Sequence, residues 1–393
     1  MSRRAPVLVV LTVMGVLAAL ALPLVAKALV GQAPQGAVQP DGRVSAIAIS
    51  GTTIYLGGQF THVTTVGGSS QPRAHLAAVD ATTGDLLPWA PSTNLPVDAL
   101  AVSAAGTVFA GGEFTTVNGQ ARTRLAAIDG VSGTLGSWNP AASNTVRALA
   151  ASAVNGLLYA GGDFKTIGAA TRVRLAAFSL SSGALDASWK PKATGAVNTL
   201  TLAPDESRVY AGGSFKSING STAAAFAAAL TPAGSGALDT SFTASWGGQP
   251  GFKLFSLAAD ADGLYAAGGG TGGHLVWWDA DGSLHQPIYL TDGGVQAVTA
   301  LGDSIYAGGH FKNYCVGNTG SNTTPEVCNT PLLRQKLFSV AKSDGSINSW
   351  APKANSALGV WSAAAIPSLG KVAVGGDFTK VDGKAQAHFA LFG

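Results

Sequence analysis

The chain runs to 393 residues, with 52 glycines, 47% hydrophobic residues, 11% charged residues and a net charge of +3. Its few cations are scattered, which argues against a nucleic-acid partner, because binding phosphates needs clustered Lys and Arg. Length alone suggests two or three domains, but the internal repetition described below argues for a single closed one.

The N-terminus reads as a targeting segment. Arg3 and Arg4 form a short basic region, and Ala5 to Ala26 carries no charge. About 20 apolar residues at 1.5 Å each make roughly 30 Å of helix, enough to cross a bilayer. Ala26-Lys27-Ala28 offers small residues at the two positions a signal peptidase reads. A cleaved export signal and a retained membrane anchor over 1–28 are both open, and either puts the rest of the chain outside the cytoplasm. Residues 29–35 read as a linker, and 36–393 as the repeat domain.

The repeat is clearest in Val97 to Pro140. A Gly-Gly pair recurs at Gly57, Gly111, Gly161, Gly212, Gly268, Gly308 and Gly375, with a mean spacing of about 53 residues. Each unit carries four strand signals, here Val97–Val102, Thr107–Phe114, Arg124–Asp129 and Gly133–Pro140, separated by turns such as Asn118-Gly119. Four short strands in about 50 residues point to an all-β fold, a seven-bladed β-propeller with four antiparallel strands per blade. The last copy stops after its third strand, at Phe389–Phe392. Val38-Gln39-Pro40 resembles the Trp138-Asn139-Pro140 end of a repeat, so the N-terminal strand, around Ala37–Pro40, is expected to complete the last blade beside Phe389 and close the ring.

Two units depart from the pattern. The fifth has lost the Phe after its glycines and carries Trp277-Trp278. The sixth stretches the interval from Phe311 to Leu337, and Cys315 and Cys328 lie in that insertion. Two cysteines close in sequence in an exported chain are expected to form a disulfide. A metal there would need further ligands, and only His310 offers itself.

The order Gly-Gly-x-Phe, Arg-Leu-Ala-Ala-x-Asp and Gly-x-Leu-x-x-Trp-x-Pro resembles the delta-60-type β-propeller repeats of secreted bacterial proteins, a group of unknown function. Kelch repeats are similar, but the Phe after the glycines and the Arg-Leu-Ala-Ala strand fit the former better. The resemblance covers about residues 44–393. It implies a propeller and export, with no activity and no catalytic residues to carry over.

The repeated residues have structural readings. The Gly pairs let a neighbour approach the backbone closely. Trp89, Trp138, Trp189 and Trp350, with Phe242 standing in once, pack between blades. The basic residue before the third strand (Arg124, Arg174 and others) is expected to pair with the acid after the Gly pair (Glu113, Asp163, Asp377). His62, His285 and His310 have no nucleophile placed with them, and the two Asp-Ala-Asp-Gly stretches complete no calcium loop. No catalytic constellation, cofactor motif or metal site emerges.

One position varies while its surroundings stay constant. Directly after the residue opening each first strand stand Ser45, Asp98, Arg147, Asn198, Phe255, Gln296 and Trp361. Together with Trp246 and Phe252 they are expected at the mouth of the central channel, where a mixed polar and aromatic ring suits a glycan, a cell-wall polymer or a protein. A purely structural envelope protein, or a hydrolase using Asp98 with a second carboxylate, are the alternatives. Membrane contact is expected only through an uncleaved N-terminal segment.

Overall fold

The computed structural model describes residues 29–244, 251–315 and 330–393. The expected signal or anchor segment, Trp246 and Cys328 lie outside the described residues. Within them the fold is all-β, with two 3-10 turns at Thr222–Ala224 and Pro367–Leu369 and no α-helix. None of the described residues forms a helix long and apolar enough to cross a membrane.

Each unit is built outward from one strand. In the second unit Val97–Val102 pairs antiparallel with Thr107–Gly112, which pairs with Leu125–Asp129. The same order recurs from Val44–Ser50 in the first unit to Val360–Ile366 in the last. The expected fourth strand shrinks to single bridges, such as Ile128↔Leu135 and Phe178↔Leu185. The cause lies just downstream. The chain leaves the sheet so that the Trp can reach the next unit, and the following Pro cannot donate to a ladder. Trp89 Nε1 donates to Asp129 O (2.8 Å), and Trp189 Nε1 to Thr231 O (2.9 Å). The fifth unit lacks the Trp-x-Pro ending and has a continuous fourth strand, Leu284–Thr291.

The stretch between second and third strands, read as a loop, holds a miniature hairpin in most units. Thr116–Val117 pairs with Gln120–Ala121 across Asn118 and Gly119, both at positive φ (49° and 75°). That is the backbone a two-residue type I′ turn requires, and Asn-Gly adopts it most readily.

The core lies between units. Tyr55, Trp89, Val97, Leu100, Val108 and Phe114 belong to one buried cluster spanning the first two units. The Gly pairs sit at these seams. A Cβ on Gly111 would lie 2.7 Å from Val146 Cγ1 of the next unit, and one on Gly308 would lie 2.6 Å from Val360 Cγ1. A Cβ on Gly375 would meet Ser362 Oγ of its own unit at 2.5 Å and Val44 Cγ1 of the first unit at 2.6 Å.

The N-terminal pairing differs from expectation by a few residues. Gln35 bridges Leu391, with Gln35 N to Leu391 O at 2.8 Å, whereas Gln39–Pro40 pairs with His62–Thr64 of the first unit. Val38 is buried in one cluster with Phe389 and Leu391. Within residues 29–35, expected as a linker, Val30 is buried, Gly31 N donates to Gly393 O (3.2 Å) and Trp350 Nε1 donates to Gly31 O (3.1 Å), while 31–33 are exposed.

Candidate functional site

The register of every innermost strand slips by one residue just after its opening position: between Val44 and Ala46, Val97 and Ala99, Val146 and Ala148, Val197 and Thr199, Leu254 and Ser256, Val295 and Ala297, and Val360 and Ser362. The skipped residues are Ser45, Asp98, Arg147, Asn198, Phe255, Gln296 and Trp361. A bulge bends the strand and re-aims one side chain out of the ladder. All of these residues line one cavity of about 510 Å³. Phe252, expected beside them, is core instead, edge-on to Phe226 (5.5 Å) and His274 (5.4 Å).

A further set of lining residues was not expected there. Gln59, Glu113 and Ser214 follow the Gly pairs, and Arg43 and Lys253 lead into inner strands. The position after the glycines also varies from unit to unit, which was the available signal. The pairing expected for those acids is not the one found. Arg124 and Arg174 donate to backbone carbonyls, Ala142 O (3.0 Å) and Ala193 O (2.7 Å). Their positive φ, 65° and 68°, turns them toward the next unit. Asp163 is paired instead with Arg147 (2.6 Å), and Asp377 with Arg43 (2.6 Å), joining the last unit to the first.

Three polar atoms of the cavity wall are sealed and have no hydrogen-bond partner among the described residues: Asp98 Oδ2, Gln296 Oε1 and Trp361 Nε1. Gln296 is only 5% exposed. An unpaired buried polar group costs about 1–3 kcal/mol, so such a cluster is a strain the fold carries. Burial pushes the Asp98 carboxyl up to about 7, and the neighbouring Glu113 adds to the rise while Arg147 and Arg43 oppose it. Asn198 is satisfied, its Nδ2 donating to Leu254 O (2.9 Å) of the next unit. The aromatic faces are partly taken: the Arg43 guanidinium lies 4.3 Å from the Trp361 ring centroid, and Lys253 Nζ 5.2 Å from that of Phe255. Trp361 Nε1 thus stays unpaired among the described residues at the cavity wall while Arg43 takes the ring face.

Other buried polar atoms without a partner among the described residues, Nε of Arg73, Arg122, Arg172 and Arg334, Trp278 Nε1 and Ser339 Oγ, are scattered and line no part of this cavity. His62 faces Asp41, His285 stacks on Trp277 (3.7 Å), and His310 Nε2 accepts from Gly294 N (3.1 Å). In the first Asp-Ala-Asp-Gly stretch Asp260 accepts from Tyr265 and, with Asp262, binds Lys342. In the second, Asp281 accepts from the Ser283 backbone, an ordinary Asp turn. Cys315 is buried and is not a free thiol, but its expected partner Cys328 lies outside the described residues. A second cleft of about 560 Å³ opens at the seam of the second and third units, around Trp138, Phe109 and Phe178. Trp138 Nε1 is paired there with Gly183 O (2.8 Å), and no sealed, unpaired polar atom lines that cleft.

No family model matches the chain, and none of the curated proteins matches it. Among solved structures it is similar to the WD40 β-propeller domain of Doa1, at 11% identity and a TM-score of 0.57, over 92% of this chain and 96% of that one. It is also similar to the computationally designed Ika8 protein, at 13% identity and a TM-score of 0.52, over 92% and 99%. The fold is a β-propeller.

Proposed function

We propose that the chain is an exported, seven-bladed propeller of the delta-60 type, closed by its N-terminal strand, whose central cavity binds a glycan end without catalysis. Closure is supported by the contacts of the last unit with the first: Gly375 against Val44, Ser362 Oγ to Val44 O (3.3 Å) and Lys371 Nζ to Ala81 O (2.7 Å). Export rests on the apolar run from Ala5 to Ala26, and a disulfide between Cys315 and Cys328 follows from that reading.

The observation carrying the ligand assignment is the trio of unpaired atoms on three different inner strands, Asp98 Oδ2, Gln296 Oε1 and Trp361 Nε1. They combine donors and acceptors around one cavity, and a hydroxyl group both donates and accepts. A sugar presents several hydroxyls at once. Its test is a screen of the full-length protein against a glycan array and cell-wall fractions, with Trp361→Ala alongside. Binding that disappears in the variant, with folding intact, supports the reading; wild type and variant binding alike would move the site elsewhere.

A hydrolytic reading has one observation in its favour. Glu113 shares the cavity with Asp98, so a second carboxylate is present. New reducing ends from a bound glycan, lost in Glu113→Gln, would replace recognition by hydrolysis.

A further inference from the structure

We propose that Asp98 serves the cavity as a neutral carboxylic acid, donating a hydrogen bond, so that the site selects neutral ligands bearing exposed oxygen lone pairs and turns away amines. The inference rests on the glycan reading above and adds the residue that sets the ligand's charge class.

Asp98 stands in the bulge of Val97–Val102, with Oδ2 sealed and unpaired among the described residues. Three charged groups face it: Glu113 of its own unit, Arg147 on the inner strand of the next, and Arg43 leading into the first. Neither guanidinium is free to neutralise it. Arg147 donates to Asp163 (2.7 Å), and Arg43 to Asp377 (2.6 Å), so each cation arrives with its own carboxylate. Glu113 has no ion-pair partner among the described residues, and its charge acts on Asp98 unopposed by a bonded cation. Burial and a like charge both favour the acid, consistent with its rise to about 7.

An acid presents an O–H where a carboxylate would present only lone pairs. The wall then offers two donors, the Asp98 hydroxyl and Trp361 Nε1, and one acceptor, Gln296 Oε1. A hydroxyl, ring or acetamido oxygen accepts from the donors, and a hydroxyl hydrogen serves the acceptor. An ammonium group has only hydrogens to offer, which the two donors cannot accept. Of the cavity's charged groups without an ion-pair partner among the described residues, Glu113 would attract it and Lys253 repel it, which leaves the choice to those donors. Raising the pH removes the Asp98 proton, and with it one donor, and leaves two facing carboxylates.

The test uses the full-length protein in two arms. The first needs no ligand: carbon-13 carboxyl resonances of labelled aspartate are followed against pH in wild type, Asp98→Asn and Glu113→Gln. The resonance missing from Asp98→Asn is expected to titrate near neutral pH, and lower in Glu113→Gln. Titration below about pH 5, the ordinary carboxylate range, overturns the proposal whatever binds. The second arm measures binding of diacetylchitobiose and of its deacetylated diamine at pH 6 and pH 8. Wild type is expected to bind the acetylated sugar about tenfold more weakly at pH 8, as a group titrating near 7 loses its proton. Asp98→Asn, whose amide also donates, should bind it equally at both. Tighter binding of the diamine, strengthening with pH, would make the carboxylate the binding form and overturn the proposal. If neither sugar binds at either pH, the glycan reading fails for this sugar class, while the first arm still decides the state of Asp98.

Discussion

Adjacent residues on one strand build two walls that obey opposite rules. Val146 is fully buried and packs where Gly111 leaves no room for a Cβ. Its neighbour Arg147, turned the other way by the bulge, faces the cavity. Along the seams the units repeat the same chemistry: a glycine, an apolar residue from the next unit, a Trp with its N–H paired. Around the cavity no lining residue of the bulge set occurs twice, and three polar atoms are left unpaired. Constancy follows close packing, and variation follows the surface where packing imposes nothing. The bulge lets both occur within two residues of chain.

That contrast breaks most sharply with two tryptophans. Trp189 is fully buried, its ring 5.0 Å from Tyr159 and its N–H paired. Trp189→Ala should cost about 4 kcal/mol, as deletion of a buried aromatic does. Trp361→Ala should cost under about 1 kcal/mol, the scale of its contact with Arg43. Urea denaturation of both variants measures the difference, and equal losses would erase the distinction between the walls. The glycines come next. Gly308→Val forces a side chain into Val360 and should cost about 3 kcal/mol through overpacking. Gly375→Val, made together with Ser362→Ala to remove the clash within its own unit, should cost the same only where the last unit packs on Val44 of the first, so the pair also tests ring closure. A mild effect at Gly375 beside a severe one at Gly308 would open the ring.

The seams were the legible part of the sequence. Glycine, Trp and alternating apolar runs recur because each unit meets its neighbour in the same way, and seven repeats make the pattern unmistakable. The bulge positions were legible too, as variation beside a constant Val. The chemistry around them was not. Whether Asp163 pairs with Arg174 or Arg147 depends on a backbone twist at Arg174, φ 68°, that no residue pattern announces. The fourth strand was overestimated for a similar reason: Leu135 carries a strand signal, but the demands of Trp138 and Pro140 pull the chain away. At the N-terminus Gln35 has no apolar signature, since its role is a backbone bond to Leu391.

A smaller effect comes from Asp98, where the cavity wall acts against stability. Its folded-state pKa, about 7, lies above the ordinary value of 3.8, so the unfolded chain ionises first as pH rises. Stability from this group is therefore full below about pH 4, falls through the range up to about pH 7 and levels off above it. Between pH 5 and pH 8 the loss is on the order of 2–3 kcal/mol. Asp239 works in the opposite sense. Its bond from Ser241 and its pairing with Arg208 hold it below the carboxylate range, so its contribution is lost on acidification. Comparing wild type with Asp98→Asn cancels such terms. The variant should show a flatter melting temperature from pH 5 to pH 8, and an unchanged slope would mean that Asp98 ionises as in the unfolded chain.

The mildest change has the most diagnostic sign. Gln296 is almost fully buried, and its Oε1 accepts no hydrogen bond from the described residues. A buried acceptor left unpaired penalises the fold, whereas an apolar side chain of similar size carries no such penalty. Gln296→Leu should therefore raise stability by about 1 kcal/mol while weakening the glycan binding proposed above. At a seam the same kind of polar-to-apolar change would break a bond: Thr199, whose Oγ1 accepts from Leu257 N (3.1 Å), should lose stability on conversion to Val. Opposite signs at Gln296 and Thr199 in paired urea titrations would show that Gln296 is held for a ligand and Thr199 for the fold. A loss at Gln296 would mean its carbonyl has a structural partner, and the binding site would be left without its acceptor.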